Sequence, residues 1–153
     1  MFTLQDEHDE YFISAMLIEG SKYALMTPTA TLNSVFMYNS KTLQIFQPLM
    51  RLCLDDGGQE SLYPNTNAFL SFAACDSSSI NQQFVYRMSD QRILNPNWAN
   101  NIVLNRNGTV DAVPGAHQLL LWLSDGSPTN YDEMFKAYEV CGFGKLFKRV
   151  RLW

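Results

Sequence analysis

An all-β domain of three repeats, each of about four strands, is the fold that this 153-residue sequence predicts. Three observations predict it. First, the chain repeats itself. "FMYNSKTLQIFQP" (Phe36–Pro48) aligns without a gap with "FVYRMSDQRILNP" (Phe84–Pro96), which matches Phe36 to Phe84, Tyr38 to Tyr86, Ile45 to Ile93 and Pro48 to Pro96. Self-similarity at a fixed period of this size is the mark of a repeat architecture. Second, the apolar residues fall in short runs rich in aromatic and β-branched side chains, with Gly, Pro, Asn, Asp and Ser between them, a strand-and-turn pattern. Third, one such unit cannot bury its own apolar face. Three units closed around a pseudo-threefold axis can, and closure removes exposed strand edges. The architecture that meets all three conditions is a β-trefoil.

Taken in order, "YFISAML" and "KYALM" read as two strands of a shortened first unit, followed by "SVFMY" and "TLQIF". The second unit opens on "LCLDDGG" (Leu52–Gly58) and continues through "FLSFAA" and "QFVYRM". The third opens on "IVLNRNG" (Ile102–Gly108), which corresponds to Leu52–Gly58, and continues through "HQLLLWL". Its "MFKAYEVCGFGKLFKRV" sets Phe135 opposite Phe84, and "KLFKRVRLW" is its final strand. "NYDEMFKAYEV" places Tyr131, Met134, Phe135 and Tyr138 at helical spacing, yet it reads as a loop with one helical turn running into a strand. "NRNGTV" carries the Asn-Gly dipeptide of a tight hairpin. The same residues hold the glycosylation sequon Asn107-Gly108-Thr109, which the turn explains better. The repeats are placed at roughly 11–50, 51–100 and 101–153 of a single domain, 1–153.

Composition narrows the function. The formal charge is −4, against nucleic acid as a partner, since phosphate neutralisation needs a clustered basic surface. Four of the eleven Lys and Arg lie in the last nine residues, where a strand with its charges in water accounts for them better than an anion site. No run of about twenty apolar residues is present, so no membrane span is expected. The N-terminus lacks the basic and apolar regions of a signal peptide, which leaves a cytoplasmic protein, or a secreted one after leader removal. Three cysteines, an odd count, lean towards a reducing compartment. His8 and His117 are far apart in sequence and no CxxC or HxxxH spacing occurs, so neither a metal site nor another cofactor is expected. No catalytic motif is present, and Asp55 and Asp56, adjacent on a strand, would point to opposite faces. Catalysis is not expected.

The stretch "CLDDGGQESLYPNTNAFLSFAACDSSSINQQF" resembles one repeat of the ricin B-type (R-type) lectin family. The matching positions are Cys53-Leu54-Asp55, Gly57 and Gly58, Leu70-Ser71-Phe72, Cys75, and Asn81-Gln82-Gln83-Phe84, with Phe84 in place of the family's Trp. In the third unit Val103 stands for Cys53 and Ser124 for Cys75. The two cysteines are absent together, and the resemblance therefore implies that Cys53 and Cys75 lie close and can bond. Cys141 reads as a small buried apolar residue.

The resemblance implies glycan binding, of galactose type, through a carboxylate, an amide pair and a stacking ring. Sugars have polar edges and a C–H face, so their sites combine directional acceptors with an aromatic plate. Unit two supplies Asp55, Asn81 and Gln82. Its platform position holds Ala73, for which Phe69 or Tyr63 would have to substitute. Unit three supplies Asn105 for the aspartate, Trp122 at the platform, and Asp132 and Glu133 for the amides. Unit one keeps only Asn33. Each residue also has a plainer reading: Asp55 as an ordinary turn residue, Gln82 as a structural amide, Trp122 in "LLLWLS" as core. The alternative partner is another protein, bound by a trefoil whose sugar sites have degenerated; the fold hosts both activities.

Overall fold

The computed structural model describes residues 1–8, 10–58, 70–99, 102–140 and 148–149. The fold is all-β. Strands β1 (Phe2–Asp6), β2 (Phe12–Ile18), β3 (Ser21–Thr27), β4 (Met37–Asn39), β5 (Gln44–Gln47), β6 (Leu52–Asp55), β7 (Ser71–Ala73), β8 (Val85–Arg87), β9 (Arg92–Leu94), β10 (Ile102–Thr109), β11 (His117–Leu123), β12 (Phe135–Glu139) and β13 (Lys148–Arg149) follow in chain order. All but two join one sheet in the order β13-β12-β1-β2-β3-β7-β6-β5-β4. Strand β11 branches from β3 and carries β10, while β8 and β9 form a separate pair. Every pairing among the described residues is antiparallel, both in the hairpins and between strands distant in sequence.

A local structure recurs three times. The 3-10 turns Leu32–Ser34, Ile80–Gln82 and Tyr131–Glu133 each end two residues before a phenylalanine, Phe36, Phe84 or Phe135. All three rings are fully buried. The amide of Phe84 donates to Leu43 O and that of Phe135 to Gln91 O, both at 2.8 Å. Leu43 and Gln91 share a left-handed φ of 59°, the conformation that turns a tight corner. Tyr38 Oη then reaches Phe84 O, and Tyr86 Oη reaches Phe135 O, each at 3.0 Å. These contacts stitch one stretch of chain to the next. The three rings, with Leu4, Ile13, Leu54, Leu104 and Leu119, belong to one apolar core. Burying a side chain of this size contributes about 1.5–3 kcal/mol, so this centre is a main source of the apolar driving force.

Two features depart from the sequence-based expectations. Strand β1 was not expected. Its "FTLQD" mixes apolar and polar residues too briefly to stand out, yet it pairs along its full length with β12, Phe2 opposite Glu139 through Asp6 opposite Phe135. The pairing buries Phe2, Leu4 and Asp6, so distant partners decide the element. Asn107-Gly108 is not the hairpin turn. It lies within β10 at a register shift between Asn107 and Thr109, and the connection to β11 is made by residues 110–116. A glycine at such a bulge serves the kink, not the reversal. "NYDEMFKAYEV" does form one short helical turn that runs into β12.

Candidate functional site

Strand β6 carries the "CLD" residues, and its register fixes their neighbours. Cys53 lies opposite Ala73, Leu54 opposite Phe72 and Asp55 opposite Ser71. Cys53 and Cys75 form a disulfide with their Cα atoms 5.0 Å apart. Such bonds persist in oxidising surroundings, against the reducing compartment that the odd cysteine count suggested. Cys141, Tyr63, Phe69 and most of the basic C-terminal stretch lie outside the described residues, as do the side chains of Lys148 and Arg149.

Gln82 is the hub of unit two. It is 2% exposed and spends both ends of its amide. Nε2 donates to Asp55 Oδ2 and to Ala74 O, each at 2.9 Å. Oε1 accepts from Gln44 Nε2 and from the amide of Asp76, also at 2.9 Å. A buried amide with four satisfied contacts fixes whatever it touches. What it fixes is the half-buried carboxylate of Asp55, whose Oδ1 accepts from Gly57 N at 2.7 Å. Each Asp55 oxygen thus has one internal donor. A carboxylate offers about four acceptor sites, so capacity remains for two ligand hydroxyls.

Asn81 is drawn to the same turn by Asp56 N, which donates to Asn81 O at 3.0 Å. Its side chain rests on Gly58, where a Cβ would come within 3.3 Å of Asn81 Nδ2 at a backbone φ of +75°. Only glycine suits that position. Asp55, Asn81 and Gln82 are therefore brought together. Ala73 offers no ring.

Sequence reasoning passed over the next shell. Asp56 is buried, with Oδ1 accepting from Gly58 N at 2.9 Å. Its Oδ2 accepts from Asn95 Nδ2 and Trp98 Nε1, both at 2.7 Å. Burial raises its carboxyl above the ordinary aspartate range, against the pull of Trp98, Gly58 and Asn95, and the neighbouring Asp55 charge adds to the rise. The signal was "DDGG" beside "NPNW", residues that look like turns until the two turns meet.

Unit three keeps the same contact with its chemistry exchanged. Asn105 occupies the place of Asp55 and donates from Nδ2 to Glu133 Oε1 at 3.4 Å. Glu133 occupies the place of Gln82 and is 1% exposed. Its charge is met by Arg92 Nε at 2.9 Å and Ser124 Oγ at 2.6 Å. Trp122 lies opposite Val103, as Ala73 lies opposite Cys53, and is half-buried, intermediate between core and platform. Asp132 is tied to Arg106 at 2.6 Å. Arg106 also stands over the Tyr11 ring and faces Asp6 Oδ2 at 3.2 Å, a charge contact without hydrogen-bond alignment. In unit one the equivalent contact is between two hydroxyls, Ser14 Oγ and Ser34 Oγ at 2.6 Å, with no carboxylate. Among the described residues no cluster of His, Cys, Asp or Glu could hold a metal.

No family model matches the sequence, and no curated protein matches it. Solved structures do. The chain is similar to the earthworm lectin C-terminal domain, a mutant solved in complex with 6'-sialyllactose, with a TM-score of 0.63 and 13% identity over 89% of this chain and 95% of that one. It is similar to the mdaA-1 domain, with a TM-score of 0.66 and 12% identity over 89% and 87% of the two chains. It is also similar to a chain of the Haemophilus ducreyi cytolethal distending toxin, with a TM-score of 0.58 and 10% identity over 88% and 80%. At these identities the likeness shows a shared fold, one that a lectin domain and a toxin chain also adopt.

Proposed function

We propose that the protein is a β-trefoil carbohydrate-binding module without enzymatic activity, and that it takes glycans at the unit-two site. The observation that carries this reading is Asp55. Its carboxylate is held from inside by Gln82 and Gly57, is half-exposed, and stands beside Asn81. The buried amide that ties Ala74, Gln44 and Asp76 together also holds Asp55 Oδ2, so the acid is set in a fixed direction rather than left to swing as a free turn cap. The fold likeness to a lectin domain solved with a sialylated sugar supports the reading. Asn105 and Trp122 form the weaker site, because there the charge is internal and already met by Arg92 and Ser124.

A glycan array followed by titration calorimetry tests the proposal. Asp55→Ala should weaken binding by about tenfold or more, since a bond to a charged group contributes roughly 1.5–3 kcal/mol. The same change frees Gln82 Nε2 and Gly57 N, so the melting temperature should fall by about 4–8 °C, and binding is read well below it. Full affinity in Asp55→Ala with loss in Trp122→Ala would transfer the site to unit three. The absence of a ring at Ala73 favours one second reading, a trefoil whose degenerate sites leave it a protein-contact module. Silence on the array together with a stable protein complex would establish that reading instead.

A further inference from the structure

Trp98 has no place in the repeat pattern, yet its position is tightly specified. Its indole N–H donates to the buried Asp56 carboxylate at 2.7 Å, while the residue remains half-buried and reaches the surface. Asp56 is the neighbour of Asp55, and its own amide holds Asn81. The ring is therefore pinned to the same turn that carries the candidate sugar acceptors. Neutral amides crowd around it. Asn95 Nδ2 bridges Asp56 Oδ2 and Ile80 O, both at 2.7 Å. The exposed Asn97 Nδ2 donates to Gln83 Oε1 at 3.0 Å and Asn95 Oδ1 at 2.9 Å. A fixed aromatic ring amid side-chain amides is what the C–H face and hydroxyl edge of a pyranose require. If Trp98 served only to cover Asp56, one donor would suffice; a partly exposed indole is more than that task needs.

We infer that Trp98, with Asn97 and Gln83 beside it, forms a subsite for a second sugar ring of an oligosaccharide whose first ring is read by Asp55 and Asn81. This rests on the glycan reading above and deepens it. Because the ring approaches from the β9–β10 connection, it does not replace the platform missing at Ala73. It extends the site along the turn, and it makes the protein select disaccharides over monosaccharides.

The test compares lactose with free galactose by titration calorimetry on the full chain. The unmodified protein should bind lactose about tenfold more tightly. Trp98→Phe keeps a ring but loses the bond that fixes it to Asp56, and should retain only part of the preference. Trp98→Leu fills similar space without a π face, and should bind both sugars alike at the galactose level. Equal lactose preference in Trp98→Leu and the unmodified protein would overturn the inference while leaving the Asp55 site standing. Equal affinity of the unmodified protein for the two sugars would do the same. No binding of either sugar would overturn the inference, and the glycan array then decides separately whether the Asp55 reading stands. A melting temperature measured for each variant separates loss of the ring from loss of the fold.

Discussion

Replacing Gln82 by alanine removes four hydrogen bonds at once, and their surroundings set the cost. Gln44 Nε2 keeps a second acceptor in Asp76 O at 3.0 Å, so it is not stranded. Ala74 and Asp76 are exposed, and water can reach their freed groups. Asp55 keeps Gly57 N. Each lost bond therefore approaches the ordinary net value of about 1 kcal/mol rather than the full penalty of a buried orphan. Truncating a buried side chain also leaves a cavity, and cavities add to the cost. Four such bonds amount to about 4 kcal/mol and the cavity brings the total to roughly 5 kcal/mol, which for a domain of this size lowers the melting temperature by about 10–20 °C. Thermal unfolding followed by circular dichroism or calorimetry measures it. A fall below about 2 °C would show that the four contacts do not act as a hub. Gln82→Glu should be worse than alanine at neutral pH, because it sets a carboxylate against Asp55. Adding Asp55→Asn should recover part of that loss by recreating the Asn105–Glu133 arrangement.

Three further outcomes are expected. Replacing Cys53 and Cys75 together by serine should cost about 3 kcal/mol, the value for closing a loop of this length; denaturant unfolding with and without a thiol reductant reads it. Arg92→Ala should cost about 3–5 kcal/mol, because it strips the cation from the buried Glu133, and a stability change under 1 kcal/mol in equilibrium unfolding would contradict the ion-pair assignment. Burial pushes the Tyr38 hydroxyl up to about 12, where an unfolded tyrosine ionises near 10.0. Between those values the folded state holds a proton the unfolded state has lost, so the stability present below pH 10 declines as pH rises through that window. The difference between the unmodified protein and Tyr38→Phe, measured by denaturant unfolding across it, isolates this residue.

The sequence revealed whatever depended on residues repeating in step. The Phe36–Phe84 match pointed to two rings that are indeed fully buried, and the paired loss of Cys53 and Cys75 in unit three pointed to a bond that is present. It could not reveal β1, because five residues of mixed polarity become a strand only when β12 is there to pair with them. The Asn-Gly signal misled because glycine serves a bulge as readily as a turn. In the candidate site, Asp55 and Gln82 stood out by motif, but their direct contact did not. The Asp56–Asn95–Trp98 cluster was hidden because it joins two loops 39 residues apart in sequence.

The exchange between Asp55–Gln82 and Asn105–Glu133 has a consequence for the charge that each stretch of chain shows to solvent. One acid and one amide satisfy each other in either order, so the scaffold tolerates both. The order decides on which side of the wall the negative charge sits. With the acid outside, Asp55 presents an anion to solvent; with the acid inside, the Glu133 charge is met by Arg92 and an amide, Asn105, takes the outer place. Transposing the two side chains is therefore not enough by itself: the inward acid also needs a cation, which Arg92 supplies to Glu133 where Gln44 meets Gln82, so three coordinated positions separate one arrangement from the other.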